Sequence, residues 1–190
     1  MQWNLPGTVL SFPSEEAVHI EKQFQNMFLG GGIALSQVAN ITGLEAYAIQ
    51  NWVKRGFLTP PEHKRYTMHQ LCRIININML KAALSLGQIC GLLSYVNGDL
   101  SDESDDLIDD ATLYFLFVRL AADHRRMNTP EGRDAYLSQL LSEQTQLTPD
   151  AKARVAKVLT IMLTAWAASQ LRQATESMLE GLMNENKEKE

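Results

Sequence analysis

Residues 35–58 read LSQVANITGLEAYAIQNWVKRGFL, and their capping and turn residues predict two short helices joined by a glycine-containing turn. Ser36 is suited to cap a very short helix over residues 37–40, because serine side chains satisfy free amides of a first helical turn. A second helix is predicted over residues 44–55, and Gly56 stands where a left-handed C-terminal cap is favoured. This order of elements is that of a helix-turn-helix.

The segment after the second helix predicts a small β wing. A proline pair excludes a helix throughout residues 57–66, which we interpret as an extended segment with a tight turn near Glu62 and His63. The sequence therefore predicts a winged helix-turn-helix between Leu35 and Tyr66, in a fold that is otherwise all-α.

Capping patterns mark further helix starts in the chain of 190 residues. Thr67 with Gln70 and Ser85 with Gln88 are capping boxes, and Thr148 precedes a proline at a first helical position. We expect four segments: 1–32, an N-terminal amphipathic helix and glycine linker; 33–98, the winged helix-turn-helix; 99–186, a helical dimerisation and effector domain; and 187–190, a frayed tail.

The last predicted helix begins after Thr148 and reaches about Asn184, which is long for a globular protein. Its apolar residues form two stripes: Val155, Leu159, Met162 and Trp166; and Leu171, Met178 and Leu182. A single head makes too few contacts for tight binding, and two-fold operators match two-fold proteins. We therefore expect a homodimer, with this helix as the dimer element.

The second helix of the predicted helix-turn-helix must bury one face and offer the other to the major groove of duplex DNA. Ile49, Trp52 and Val53 fit the buried face. The predicted DNA-binding residues are Tyr47, Gln50, Asn51, Lys54 and Arg55 on the helix, and His63, Lys64, Arg65 and Tyr66 in the wing. Amide side chains can pair with adenine edges, whereas the cationic side chains suit phosphates or guanine.

The charge of the chain is unevenly distributed. The net charge is -5, but residues 50–81 contain six basic residues and one acid, a local charge of +5. Residues 99–110 contain seven acids and no base. The predicted DNA-binding end is therefore basic although the whole protein is acidic.

Three interpretations of the acidic run stay open. Its acids suit the solvated first turn of a helix, where the helix dipole favours negative charge. They also suit contact with the basic head, within one chain or across a dimer. If the run is helical, Asp102, Asp105, Asp106 and Asp109 share one face, and that face suits a hard cation.

The head resembles the mercury-resistance-regulator (MerR) superfamily. Residues 35–44 are similar to the opening of that family's head, and residues 54–58 with Arg65-Tyr66 resemble its approach to the wing. The resemblance covers about residues 33–96 and implies a winged helix-turn-helix that binds DNA. The amides Gln50 and Asn51 stand where that family usually carries an arginine and an aromatic residue, so its operator preference does not transfer.

A closer resemblance is to an uncharacterised bacterial group, domain of unknown function 1836. It rests on residues 42–44 with 49–56, and on residues 94–98 continuing through the acidic run to Asp110. The group would cover most of residues 28–120, and it implies a fold more than a function.

The cysteines and the remaining apolar segments limit the possible functions. The two cysteines, Cys72 and Cys90, form no close pair, and we expect no metal site, no cofactor and no enzymatic activity. We expect a cytoplasmic protein with no membrane segment. A small-molecule effector near Tyr114, Phe117 and Trp166 is an open possibility. The alternative to DNA binding is a helix-turn-helix-derived protein-interaction module whose basic face meets an acidic partner.

Overall fold

The computed structural model describes residues 2–100, 103–123 and 129–187, and most of them are helical. The helices are α1 (Ile20–Met27), α2 (Leu35–Thr42), α3 (Ala46–Lys54), α4 (Met68–Leu80), α5 (Leu86–Asn97), α6 (Asp110–Ala122), α7 (Pro130–Ser142) and α8 (Pro149–Lys187). The strands are β1 (Gln2–Asn4), β2 (Ser11–Pro13), β3 (Ile33–Ala34) and β4 (Arg65–Tyr66), and short 3-10 helices span Ser14–His19 and Glu103–Asp105. The prediction of a largely helical protein is confirmed. The last three residues of the predicted frayed tail lie outside the described residues.

The predicted pair of short helices is present as α2 and α3, which pack against each other. The prediction that Ser36 caps α2 is wrong, because the helix begins at Leu35 with Ala34 as its N-cap. The Gln37 side chain accepts a hydrogen bond from the Ala34 amide at 2.9 Å, which allows the helix to start two residues earlier. Gly43 ends α2 at φ +69°, in the left-handed conformation that glycine adopts without strain.

The segment predicted as a wing forms a very small antiparallel sheet with the chain before α2. Strand β4 pairs with β3, so that Tyr66 lies opposite Ile33 and Arg65 lies opposite Ala34. The turn before β4 has both His63 and Lys64 at positive φ, the geometry of a tight hairpin turn. The predicted turn near Glu62 and His63 is confirmed.

Helix α4 is the centre of the core, and it is buried on almost every side. It packs against α6, and the buried cluster continues through α5 and α8 without a gap at the predicted boundary between residues 98 and 99. Tyr114 and Phe117 are fully buried within this core, with no exposed surface. Of the residues named for a possible effector, Tyr114 and Phe117 therefore pack against other side chains, whereas Trp166 is half-buried.

The N-terminal hairpin β1–β2 braces the helical pair against the core. The Asn78 side-chain amide on α4 donates to the carbonyls of Gly7 and Thr42, each at 2.9 Å. The Val9 amide donates to the Ile41 carbonyl at 3.0 Å, at the end of α2. The turn between α2 and α3 is thus hydrogen-bonded both to the hairpin and to the central helix.

The acidic run does not form one helical face. Helix α6 begins only at Asp110, and the Asp109 carboxylate caps it by accepting from the amides of Ala111 and Thr112, both at 2.9 Å. The predicted face is wrong because aspartate favours caps over helix interiors; Asp102 lies outside the described residues. Among the residues that the structure describes, no three His, Cys, Asp or Glu side chains form a group suited to a metal ion.

Asp110 joins the acidic run to the head through a buried ion pair. Its carboxylate lies 3.1 Å from the guanidinium of Arg73 on α4, and both residues are buried. Arg73 also donates to the Phe57 carbonyl at 3.1 Å, just beyond α3. Burial raises the pKa of Asp110, and the adjacent Arg73 opposes that rise. Arg73, which the sequence counted in the basic window, is therefore not part of the exposed basic surface.

Helix α8 is 39 residues long, and its two apolar stripes have different environments. Val155, Leu159 and Met162 are buried in the core, whereas Leu171 and Met178 are each 71% exposed. None of the described helices combines the length and apolar character that crossing a membrane requires.

Candidate nucleic-acid interface

Helix α3 carries the exposed polar surface that the sequence predicted. Ile49 and Trp52 face the core, with 0% and 5% of their surface exposed. The exposed face has helical spacing i, i+3, i+4 and i+7 and consists of Tyr47, Gln50, Asn51 and Lys54. The Tyr47 residue is 73% exposed, which is unusual for a large ring and leaves the ring available to a partner.

The turn before β4 stands beside this helix. Gln50 of α3 and Lys64 of the turn line a common open cleft of about 460 Å³, whose floor includes Leu35, Val53 and Pro61. A helix side chain and a turn side chain, separated by 14 positions in sequence, therefore share one surface. The predicted wing residues His63, Lys64 and Arg65 are all exposed.

Two arginines on this surface have fixed orientations. The Arg65 guanidinium donates to the Gly32 carbonyl at 3.0 Å, which anchors it next to the β3–β4 sheet. The Arg55 guanidinium lies 4.7 Å from the centroid of the Phe57 ring, a cation–π contact. Both side chains remain exposed and are held close to α3 and the turn.

The prediction that Tyr66 contacts DNA is wrong. Its side chain is 2% exposed, and burial raises the pKa of its phenol. Successive residues of a strand point to opposite faces, so Arg65 faces outward and Tyr66 inward. Tyr66 is a core residue that fixes the small sheet under the turn.

The surface is positively charged within an acidic protein. Residues 33–66 contain Lys54, Arg55, Lys64 and Arg65 against two glutamates, a net charge of +2. The rest of the chain carries a net charge of -7, so the whole chain has a net charge of -5. The charge of +5 counted over residues 50–81 includes Lys81 and the buried Arg73, which lie outside residues 33–66, and leaves out Glu45.

The residues that position α3 were not predicted from the sequence. Asn78 and the N-terminal hairpin hold the α2–α3 turn, yet both lie outside residues 35–66. Asn78 is half-buried among the mostly buried residues of α4, and polar groups in such surroundings are usually hydrogen-bonded.

Comparison with known proteins places this surface in an uncharacterised group. The family model described as "Domain of unknown function (DUF1836)" matches residues 21–117, which include α3, the turn and the Arg73–Asp110 pair. "Uncharacterized protein YkrK" of Bacillus subtilis (strain 168) is 25% identical over 118 residues, which are 60% of this chain and 51% of that protein. The chain thus spans about half the length of this curated relative. No solved structure matches this chain.

Proposed function

Because the chain belongs to the DUF1836 family, whose description names no activity, we propose a function from the chain's own surface. The protein is a transcriptional regulator that binds duplex DNA through a MerR-like winged helix-turn-helix formed by α2, α3 and the β3–β4 sheet. The observation that carries this proposal is the exposed face of α3, which combines two amides, a tyrosine and a lysine.

The dimensions of α3 suit the major groove. An α-helix with its side chains is about 10–12 Å across, and the major groove of B-form DNA is about 12 Å wide. The buried Ile49 and Trp52 fix the helix to the body, so that its exposed face can meet base edges. In this arrangement Gln50 and Asn51 pair with adenine, and Tyr47 packs on neighbouring groups of the groove.

The cationic side chains lie where phosphates would flank the inserted helix. Lys54 and Arg55 stand at the C-terminal end of α3, and Lys64 and Arg65 stand on the turn. Contacts of this kind fix register and supply affinity that falls with salt, whereas the base contacts supply sequence preference. His63 at the tip of the turn reaches the backbone or the minor groove.

Replacing Asn51 by alanine is expected to weaken binding to the preferred site by about 1–3 kcal/mol, roughly 5- to 150-fold. Binding to random duplex DNA should change much less, because a base contact contributes little there. Fluorescence anisotropy on both duplexes measures this difference. Asn26→Ala on α1 is the matched control, since Asn26 is exposed and α1 packs toward α6.

An equal loss on both duplexes would show that Asn51 does not read bases. If the wild-type protein bound no duplex but bound an acidic protein in a salt-dependent manner, the interaction module would be favoured instead. Both functions predict sensitivity to salt, so preference among DNA sequences is the property that separates them.

The regulator works as a homodimer through the outer face of α8. Exposed or half-buried residues follow one another at spacings of three and four on that face: Ile161, Thr164, Ala168, Leu171, Thr175, Met178 and Leu182. This is the spacing of a coiled-coil seam, and it extends for about 31 Å. The face lies opposite the stripe that α8 buries in its own core.

A second copy of α8 running antiparallel fits the side-chain sizes along this face. The same pairing opposes the bulky Ile161 and Leu171 with Met178 and the small Ala168.

The double change Leu171→Asp with Met178→Asp is expected to convert the dimer to a monomer at micromolar concentration, because it places four carboxylates in an apolar seam. Sedimentation velocity measures the mass. The control Gln170→Asp with Gln173→Asp adds the same charge to the opposite side of α8 and should remain dimeric. A monomeric wild-type chain, or a control that dissociates equally, would rule out this interface.

A further inference from the structure

A cleft of about 650 Å³ lies on the side of α8 away from the seam. It is bounded by residues 3–8 of the N-terminal hairpin, residues 78–82 at the end of α4, and residues 166–173 of α8. Its volume lies within the range of about 300–1,000 Å³ that small-molecule sites occupy. The cleft is distinct from the α3 surface, which is lined by other residues.

The charged residues that line this cleft are both cationic. Lys81 and Arg172 approach it from α4 and α8, and the lining contains no carboxylate. Arg172 pairs with Glu176 at 3.4 Å on its exposed side, and its guanidinium reaches the Ala82 carbonyl at 3.5 Å. Partial burial lowers the pKa of Lys81, so an anion beside it would replace lost hydration.

Aromatic rings form the apolar part of the wall. The rings of Trp3 and Trp166 meet edge to face, with centroids 6.3 Å apart, and both residues line the cleft. Trp166 packs in turn on Phe117 of the core at 6.0 Å, which fixes its orientation. The remaining lining is largely polar and includes Asn4, Thr8, Ser169 and Gln173. The combination suits a ligand that has both a flat ring and an acidic group.

The wall of the cleft is bonded directly to the α2–α3 turn. Gly7 and Asn78 both line the cleft, and the Asn78 amide donates to the carbonyls of Gly7 and Thr42. The hairpin also contacts the end of α2 through the hydrogen bond from Val9 to Ile41. A ligand that orders the hairpin would therefore order the turn that sets the position of α3.

We propose that this cleft binds a small aromatic acid, that Lys81 and Arg172 hold its anionic group, and that occupancy changes the order of the α2–α3 turn. The consequence for DNA affinity rests on the proposed function, whereas the site and its effect on the turn do not.

The site is tested with 1-anilinonaphthalene-8-sulfonate, an aromatic anion whose fluorescence rises on binding, and with its neutral counterpart N-phenyl-1-naphthylamine. We expect the 190-residue chain to bind the anion at one site per chain. The double variant Lys81→Met with Arg172→Met should bind it about ten-fold more weakly or worse, because it loses two charge-assisted contacts. The neutral dye should bind both proteins alike.

The control Lys22→Met with Lys152→Met removes the same charge away from the cleft and should bind the anion as the wild type does. Equal binding of the anion by the cleft variant and the wild type would overturn the site, as would equal weakening in the control. Circular dichroism of each variant establishes that the helices are intact.

The coupling is tested on the wild type by amide hydrogen exchange. Saturation with the anionic dye should slow exchange at residues 41–45, and it should not affect residues 136–141 of α7. Unchanged exchange at the turn, with dye bound, would overturn the coupling. If the dye slowed amide exchange at the turn but the protein bound no DNA under any condition, the proposed function would be wrong and the ligand site would still be supported.

Discussion

Replacing Asp110 by alanine is expected to lower the free energy of unfolding by about 3–5 kcal/mol, because it leaves a buried guanidinium without its counter-charge. Arg73 is only 4% exposed, and its Nη1 lies 3.1 Å from the Asp110 carboxylate. The remaining partner of Arg73, the Phe57 carbonyl, offers a dipole and not a full charge. Urea unfolding followed by circular dichroism measures the loss.

Two controls separate the burial of the charge from a general sensitivity to mutation. Asp134→Ala removes an exposed carboxylate that pairs with Arg133 at 3.3 Å, and it should cost no more than about 1 kcal/mol. The double change Arg73→Met with Asp110→Leu should recover much of the lost stability, because apolar side chains tolerate the same site. If Asp110→Ala costs no more than Asp134→Ala, the pair is not buried as described.

Removing the cationic side chains on and beside α3 is expected to lower DNA affinity on the order of 100-fold at about 150 mM salt. The variant replaces Lys54, Arg55 and Lys64 by alanine, which removes three of the proposed phosphate contacts. Each contact contributes about 0.9 to the slope of log affinity against log salt concentration, so the slope should fall by nearly three. Binding across a salt series measures both quantities, and preferred and random duplexes should be affected alike.

The matched control is the alanine variant of Lys22, Arg133 and Lys152, which makes the same change in net charge away from α3 and from the outer face of α8. It should retain most of the affinity and the slope. Comparable losses in the two triple variants would mean that overall charge governs binding, and that this surface has no special role.

Local signals were sufficient to predict most helix starts. Thr67 accepts from the Gln70 amide as predicted, and Thr148 accepts from the Ala151 amide beyond its proline. These signals involve residues three positions apart, so the sequence alone contains them. The β1–β2 hairpin has no such signal, because its order depends on distant contacts such as the one from Tyr114 to the Pro6 carbonyl.

The candidate surface was predictable only in part for the same reason. Helical periodicity gave the exposed face of α3, and the exposure predicted for Gln50 and Asn51 is confirmed. Tyr66 and Arg73 were misassigned because composition does not reveal burial: one lies on the inner face of a two-residue strand, and the other pairs with an acid 37 positions away. The DNA-contacting roles of the exposed residues stay predictions.

The most direct measurement is selection of the purified 190-residue chain against random-sequence duplex DNA at about 150 mM salt, where non-specific phosphate binding is weak. We expect enrichment of a defined motif, arranged as an inverted repeat that matches two copies of α3 in a two-fold dimer. Failure to enrich any motif, from a protein whose circular dichroism spectrum shows intact helices, would contradict sequence-specific DNA binding.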